Sequence, residues 1–212
     1  MLIAVAIGGL VELVPLATAK SNIPVIASVK PYTPLELEGR DLYIREGCYV
    51  CHSQMVRPFR AETERYGEYS KAGEFVYDHP FQFGSRRIGP DLHRVGGKYP
   101  NIWHYRHMED PRATSPGSIM PTYPWLLAND LDTGLTRAKL KAMRTLGVPY
   151  TPQEVDQGEA GLREQAGRIA ADLAAAGVQG TERKEIVALI AYLQRLGTDI
   201  RRAPVAAAEA PR

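Results

Sequence analysis

The chain begins with a run of apolar residues. Residues 1–17 are apolar except for Glu12. A membrane-spanning helix needs about 20 apolar residues, so the run predicts one N-terminal transmembrane anchor over residues 1–19 whose first turns are missing or shortened. Two alternatives stay open: a signal peptide cleaved after Ala19, although no basic residue precedes the run, and a buried helix of a globular domain. Residues 20–32 are predicted to form an extended linker.

Helical patterns occupy much of the remaining chain. Thr33 and Glu36 have the spacing of a capping box, with proline at the first helical position, and they predict a helix that runs to about Glu46. Apolar residues at helical spacing predict a final helix over residues 182–196. Further helices are predicted over residues 101–110, 136–146 and 151–176. The patterns therefore predict an all-α fold.

One main domain with additions is expected over residues 33–198. Residues 129–180 resemble an insertion, and their many charged and small side chains favour a solvated or partner-facing arm. Residues 199–212 are predicted to be a disordered tail. A long ordered loop region is expected over residues 53–88, where glycine and proline recur.

Composition restricts the possible partners and points to the cysteines. The formal net charge of +2 predicts neither a nucleic-acid-binding surface nor a trap for acidic substrates. The apolar content of 44% is typical of a globular protein. The chain has two cysteines, Cys48 and Cys51, and His52 follows the second directly.

The segment Cys48–His52 has the form C-x-x-C-H, which is the attachment signature of a c-type haem. In such a site the two thiols bond to the vinyl groups of the porphyrin, and the histidine ligates the iron. In bacteria this attachment is made outside the cytoplasmic membrane, so the motif implies export. A four-cysteine zinc site is excluded because no further cysteine exists. A two-Cys, two-His zinc site stays open on composition, with partners from His79, His93, His104 or His107.

The second axial ligand of the iron is predicted to be Met120. It lies in an irregular loop far enough after His52 for the chain to pass around the haem edge. The other methionines are weaker candidates, because they lie in the anchor, next to His52, or in helical patterns. Ligation by histidine and methionine leaves no open coordination position and raises the reduction potential. This favours electron transfer over oxygen binding or peroxide chemistry.

A second group of residues is predicted to surround the haem. The sequence Gly89-Pro90-Asp91-Leu92 is similar to the turn that covers the histidine side of the haem in small cytochromes c. The carbonyl of Pro90 would accept a hydrogen bond from the other ring nitrogen of His52 and so orient the ring. Tyr123 and Trp125 are expected to wall the haem crevice.

Arg57 is a candidate partner of a haem propionate, because the guanidinium group matches carboxylate geometry. It lies in the long loop of residues 53–88, among several other arginines. The alternative is a solvated arginine that pairs with Glu62 or Glu64. Sequence spacing does not decide between the two.

The ordered set of motifs resembles a known family. The set comprises YIREGCYVCHSQMVRPFRAETERYGEYS, VYDHPFQFGSRRIGPDLHRVGGKY, SIMPTYPWL, LGVPY and IVALIAYLQRLGT. Over about residues 7–198 the chain is similar to the mono-haem subunit II of the cbb3-type cytochrome c oxidases of proteobacteria. The resemblance implies a class I-type cytochrome c domain with loop and helical insertions. It also implies a single-pass protein of the bacterial inner membrane, with the globular domain in the periplasm.

The resemblance also implies partners. The subunit would pack on the catalytic haem–copper subunit I, which reduces oxygen to water, and relay electrons toward it without catalysing the reaction itself. Electrons would come from a di-haem cytochrome c subunit or from a soluble cytochrome c. The segment Gly84-Ser85-Arg86 would approach the catalytic subunit, where Ser85 could contribute one oxygen to a calcium site. One hydroxyl cannot form such a site alone.

Two alternative functions stay open. The first is a free periplasmic electron-shuttle cytochrome c, released by cleavage after Ala19. The second is a haem c ligand sensor or peroxidase in which Met120 leaves the iron. Membrane extraction would separate the first, and carbon monoxide binding would separate the second.

Overall fold

The computed structural model describes residues 1–18, 25–84 and 86–201. This part of the chain is helical and contains no β-strand, which confirms the all-α prediction. Two short 3-10 helices, Ala72–Phe75 and Asp199–Arg201, add to the α-helices. The α-helices are α1 (Leu2–Thr18), α2 (Pro34–Arg45), α3 (Cys48–Cys51), α4 (Arg60–Tyr66), α5 (Asn101–Glu109), α6 (Pro111–Thr114), α7 (Pro124–Ala128), α8 (Thr136–Thr145), α9 (Pro152–Asp156), α10 (Gly158–Ala175) and α11 (Glu185–Arg195).

Helices α2 and α11 cross at the centre of the main core and form the most extensive helix pair. The predicted capping box begins α2, where the Thr33 hydroxyl accepts a hydrogen bond from the backbone N–H of Glu36. A Cβ atom at Gly39 would lie 1.9 Å from the carbonyl oxygen of Ala188, so only glycine allows this close approach. At the C-terminal end of α2, Arg45 donates to both carboxylate oxygens of Glu185 at 2.6 and 2.7 Å. The crossing therefore fixes the end of α2 from which the cysteine motif begins.

The prediction of a transmembrane helix is wrong for the described residues. Helix α1 has 17 residues, and at 1.5 Å per residue it spans about 26 Å, whereas a membrane core is about 30 Å thick. Among the helices that the structure describes, none is both long and apolar enough to cross a membrane. Residues 20–24 of the predicted linker lie outside the described residues.

The predicted insertion packs onto the core and is not an independent arm. Helices α8 and α10 both contact α2, and Leu140 and Leu173 are completely buried. The Tyr150 hydroxyl donates to the Tyr32 carbonyl at 2.5 Å. The outer face of α10 carries charged pairs. The charged residues therefore indicated the solvent-exposed face of the helix correctly, but they gave no sign of its buried apolar face.

The long loop of residues 53–88 is ordered by helix α4, the 3-10 turn and a buried ion pair. The Arg40 guanidinium donates to the Asp78 carboxylate at 3.0 Å, and both side chains are 3% exposed. Breaking such a buried pair leaves an uncompensated charge, so this contact ties the loop to α2. At the other end of the chain, residues 199–201 form a 3-10 turn where a disordered tail was predicted. Residues 202–212 lie outside the described part.

Candidate haem site

The cysteine motif forms one helical turn directly after α2. Gly47 has a φ of 69°, a left-handed conformation that favours glycine, and it turns the chain into α3. Helix α3 contains both Cys48 and Cys51, and the backbone N–H of His52 donates to the Cys48 carbonyl at 2.9 Å. The two thiols and the imidazole are therefore held within a few residues of one rigid turn.

The His52 ring is oriented by the Gly89-Pro90 turn. Its Nδ1 atom lies 2.7 Å from the Pro90 carbonyl oxygen, and because a carbonyl only accepts, Nδ1 carries the proton. The other ring nitrogen, Nε2, has no hydrogen-bond partner among the described residues, and in this tautomer it holds a free lone pair. Burial lowers the pKa of His52, although the Pro90 carbonyl opposes this shift. Neutral imidazole is the form that ligates a metal.

The turn contacts the ring so closely that it requires glycine at position 89. A Cβ atom on Gly89 would lie 2.3 Å from Cε1 of His52 and 2.7 Å from its Nδ1. The Gly89 N–H also donates to the Cys51 carbonyl at 3.0 Å. The turn and the attachment helix are therefore packed as one unit.

Asp91, which sequence reasoning did not select, holds this turn in place. Its buried carboxylate accepts hydrogen bonds from the Ser53 hydroxyl at 2.6 Å and from the backbone N–H of Met55 at 2.9 Å. Arg87 donates to the Ser53 hydroxyl at 2.7 Å. The position of Asp91 directly after Pro90 was the available signal, because a short acidic side chain there can bind nearby backbone N–H groups.

The predicted ligands lie around one cavity of about 670 Å³. This volume is in the range of about 300–1,000 Å³ that small-molecule and cofactor sites occupy. Most of the lining is apolar, with contributions from α5, α11 and the loop before α7. The lining includes the predicted residues Cys48, Cys51, His52, Pro90, Met120 and Tyr123.

Met120 reaches the cavity from a loop that is fixed at several points. The Met120 N–H donates to the Ser118 hydroxyl at 3.2 Å, and Arg112 donates to the Met120 carbonyl at 3.4 Å. Just beyond, the Tyr123 N–H donates to the Met108 carbonyl of α5 at 2.9 Å. The thioether is therefore held beside the same cavity as His52 although it is distant in sequence.

Arg57 and Trp125 lie elsewhere than predicted. Neither side chain lines the cavity. Arg57 is paired with Glu62, which was the alternative interpretation, because the two residues are brought together by the first turn of α4. The Trp125 indole donates to the Glu46 carboxylate at 2.9 Å, and the residue is 41% exposed.

Helix α5 and the turn before it form a wall that sequence reasoning missed. Tyr99, Trp103, His104 and His107 all line the cavity. Trp103 stacks between Tyr99, at a ring-centre distance of 4.0 Å, and His107, at 4.5 Å. Burial lowers the pKa of His104 to about 4, with a smaller contribution from His107. Tyr99, Trp103 and His107 follow one another at intervals of four residues, and this spacing was the available signal for a shared face.

The zinc alternative and the calcium prediction receive no support from the described residues. In that part of the chain no group of three or more His, Cys, Asp or Glu side chains is arranged to hold a metal ion. Burial raises the pKa of the Cys48 thiol to about 12. Ser85 lies outside the described residues, so the calcium site stays a prediction.

The comparison with protein families shows to which family the chain belongs. The family described as "Cytochrome C oxidase, mono-heme subunit/FixO" matches residues 1–200. The chain belongs to this family. A search of curated proteins gave no match. The resemblance to subunit II of cbb3-type oxidases is thus confirmed.

Membership in the FixO family gives the chain one haem and makes it a partner of the catalytic oxidase subunit. The residues that line the cavity fit this group. An imidazole nitrogen with a free lone pair, two thiols and a thioether border one mainly apolar space. The family places the chain in a membrane-anchored oxidase.

Proposed function

We propose that the chain binds haem c covalently through Cys48 and Cys51, with His52 and Met120 as the axial ligands of the iron. The observation that carries the proposal is that these four side chains, distant in part along the sequence, border the same cavity. The Nδ1 hydrogen bond to Pro90 leaves Nε2 of His52 free for a metal. Membership in a mono-haem family identifies haem as the cofactor.

The proposed activity is electron relay to the catalytic haem–copper subunit. When bound, a haem iron with histidine and methionine ligands supplies a one-electron centre without an open coordination position. The chain's residues would hold that centre rigidly: the Pro90 carbonyl keeps the proton on Nδ1 of His52. Apolar side chains such as Leu189 and Leu193 of α11 line the cavity, and they would keep water away from the bound group. Low polarity and fixed ligands reduce the rearrangement that accompanies each electron transfer.

The proposed site of action is the periplasmic side of the bacterial inner membrane. Two points support it: the attachment motif implies assembly outside the cytoplasm, and the family belongs to an oxidase complex. In this position the chain would take electrons from a di-haem cytochrome c subunit or a soluble cytochrome c. It would pass them to the catalytic subunit.

Substitution of Met120 tests the proposal. The wild-type protein is expected to retain haem after denaturation and to bind no carbon monoxide in the reduced state. Met120→Ala removes the thioether, so the reduction potential is expected to fall and carbon monoxide to bind. Met143→Ala, on the buried face of α8 away from the cavity, is the matched control and should change neither property. Carbon monoxide binding by the wild type, or an unchanged spectrum in Met120→Ala, would refute the axial assignment.

A further inference from the structure

One wall of the cavity presents polar groups that have no protein partner. Lys98, Tyr99 and Trp103 all line the cavity, and we call these three residues the donor wall. The Lys98 ammonium makes no ion pair in the described part of the chain, and its nearest ring is that of Tyr99, whose centre lies 5.4 Å away. Neither the Tyr99 hydroxyl nor the Trp103 indole N–H has a hydrogen-bond partner among those residues. Tyrosine and tryptophan in partly buried positions usually find one.

The other charged groups of the cavity are already satisfied. Arg94 donates to both carboxylate oxygens of Glu74, at 2.5 and 2.8 Å, and to the Glu68 carbonyl at 2.9 Å. The Asp91 carboxylate is taken up by the turn beside His52. Among the described lining residues, Lys98 is therefore the one lysine or arginine whose charge is not balanced by a carboxylate.

The donor wall is rigidly built. Gln194 of α11 accepts a hydrogen bond from the Gly97 N–H at 2.8 Å and donates to the Tyr99 carbonyl and to the Asn101 side chain, both at 2.9 Å. The Tyr99 and Trp103 rings lie nearly parallel, 13° apart. The Tyr99 and Trp103 rings are thus positioned before any ligand binds, which reduces the entropy lost on binding.

We propose that Lys98, Tyr99 and Trp103 bind the propionate carboxylates of the haem, with Lys98 supplying the balancing charge. The inference rests on the proposed function, because it assigns the polar edge of the same cofactor. A porphyrin of this type is apolar except for its two carboxylates, and among the described lysines and arginines that line the cavity Lys98 is the one without a carboxylate partner. Charge-assisted hydrogen bonds are the stronger kind. Lys98 thus takes the role that the sequence had suggested for Arg57.

The test compares Lys98→Met with Lys98→Arg and Lys141→Met in the full-length haem-loaded protein. Lys141 is an exposed lysine of α8 that makes no ion pair in the described residues and does not line the cavity, so it is the matched control. Two quantities are measured: the reduction potential, and the carboxylate bands of the reduced-minus-oxidised infrared spectrum. Tyr99→Phe, which keeps the stacked ring and removes the hydroxyl, is measured in parallel.

Lys98→Met is expected to shift the redox equilibrium about threefold toward the oxidised form, as loss of a solvent-screened positive charge should. The propionate bands should move in Lys98→Met and in Tyr99→Phe, and stay in place in Lys98→Arg and Lys141→Met. Suppose that the wild type shows covalent haem and a methionine-ligated spectrum, but Lys98→Met behaves like Lys141→Met. The propionate-binding role of the donor wall is then refuted, while the proposed function stands. If the wild type lacks that haem, the proposed function and this inference both fail.

Discussion

The crossing of α2 and α11 makes Gly39→Ala a sharp test of the fold. The added Cβ would lie 1.9 Å from the Ala188 carbonyl oxygen and 2.9 Å from Cβ of Tyr192, whereas ordinary contact begins at 3.4 Å. The helices must therefore separate by about 1.5 Å at this point. Both neighbours are backbone or near-backbone atoms, so a change of rotamer cannot relieve the clash.

The expected cost follows from two opposing terms. Overpacking costs about 1–3 kcal/mol and more where it is severe, while alanine in place of glycine inside a helix gains about 1 kcal/mol. With the clash at the severe end, the free energy of unfolding should fall by about 2 kcal/mol, and the melting temperature by about 4–8 °C. Thermal unfolding of the haem-loaded protein, followed by far-ultraviolet circular dichroism, measures both.

Gly161→Ala is the matched control for this experiment. Gly161 also lies inside a helix, α10, but a Cβ there would have no neighbour within 4 Å. The same chemical change should therefore stabilise the protein slightly, through helix propensity alone. A Gly39→Ala protein as stable as Gly161→Ala would refute the close crossing of α2 and α11.

Two further predictions concern the turn beside His52 and the acid stability of the fold. Gly89→Ala places a Cβ 2.3 Å from the His52 ring, so the ring should leave the Pro90 carbonyl and haem incorporation should fall relative to Gly161→Ala; normal incorporation with an unchanged absorption spectrum would contradict this. Burial opposes ionisation of Glu74, but hydrogen bonds from His93 and Arg94 prevail and lower its pKa to about 2. Because the folded-state pKa lies below the unfolded value, the contribution of about 3 kcal/mol is present above pH 5 and is lost as the pH falls toward 2. Acid titrations of unfolding should show a shallower loss in Glu74→Gln than in the wild type, and parallel curves would refute this role.

The local parts of the site were readable from the sequence. Cys48, Cys51 and His52 lie on one turn, so their chemistry depends on spacing that the sequence displays. Met120 could be selected because the other methionines lie in helical patterns, in the N-terminal run, or too close to His52 in the sequence. The structure brings it to the same cavity, although ligation itself stays a proposal.

The sequence did not show three features of the structure, each for a different reason. Arg57 has a carboxylate partner five residues away in Glu62. No local sequence pattern shows whether its guanidinium pairs with that side chain or with a haem propionate. The donor wall was missed because Lys98 and Tyr99 precede a helix whose inward face is set by Gln194, almost a hundred residues later in the sequence. The N-terminal run was read as a membrane span from its hydrophobicity, but the described helix Leu2–Thr18 is too short to cross a membrane.

The ion pair between Arg45 and Glu185 joins residues 140 positions apart in the sequence. Contacts of such long range form late, because a large loop must close before they stabilise the chain. During synthesis, α2 and the cysteine turn emerge long before the helix that completes the core. The two thiols thus have an interval in which they are reachable from solution, and under the proposed function the haem can be attached in that interval, before the core closes.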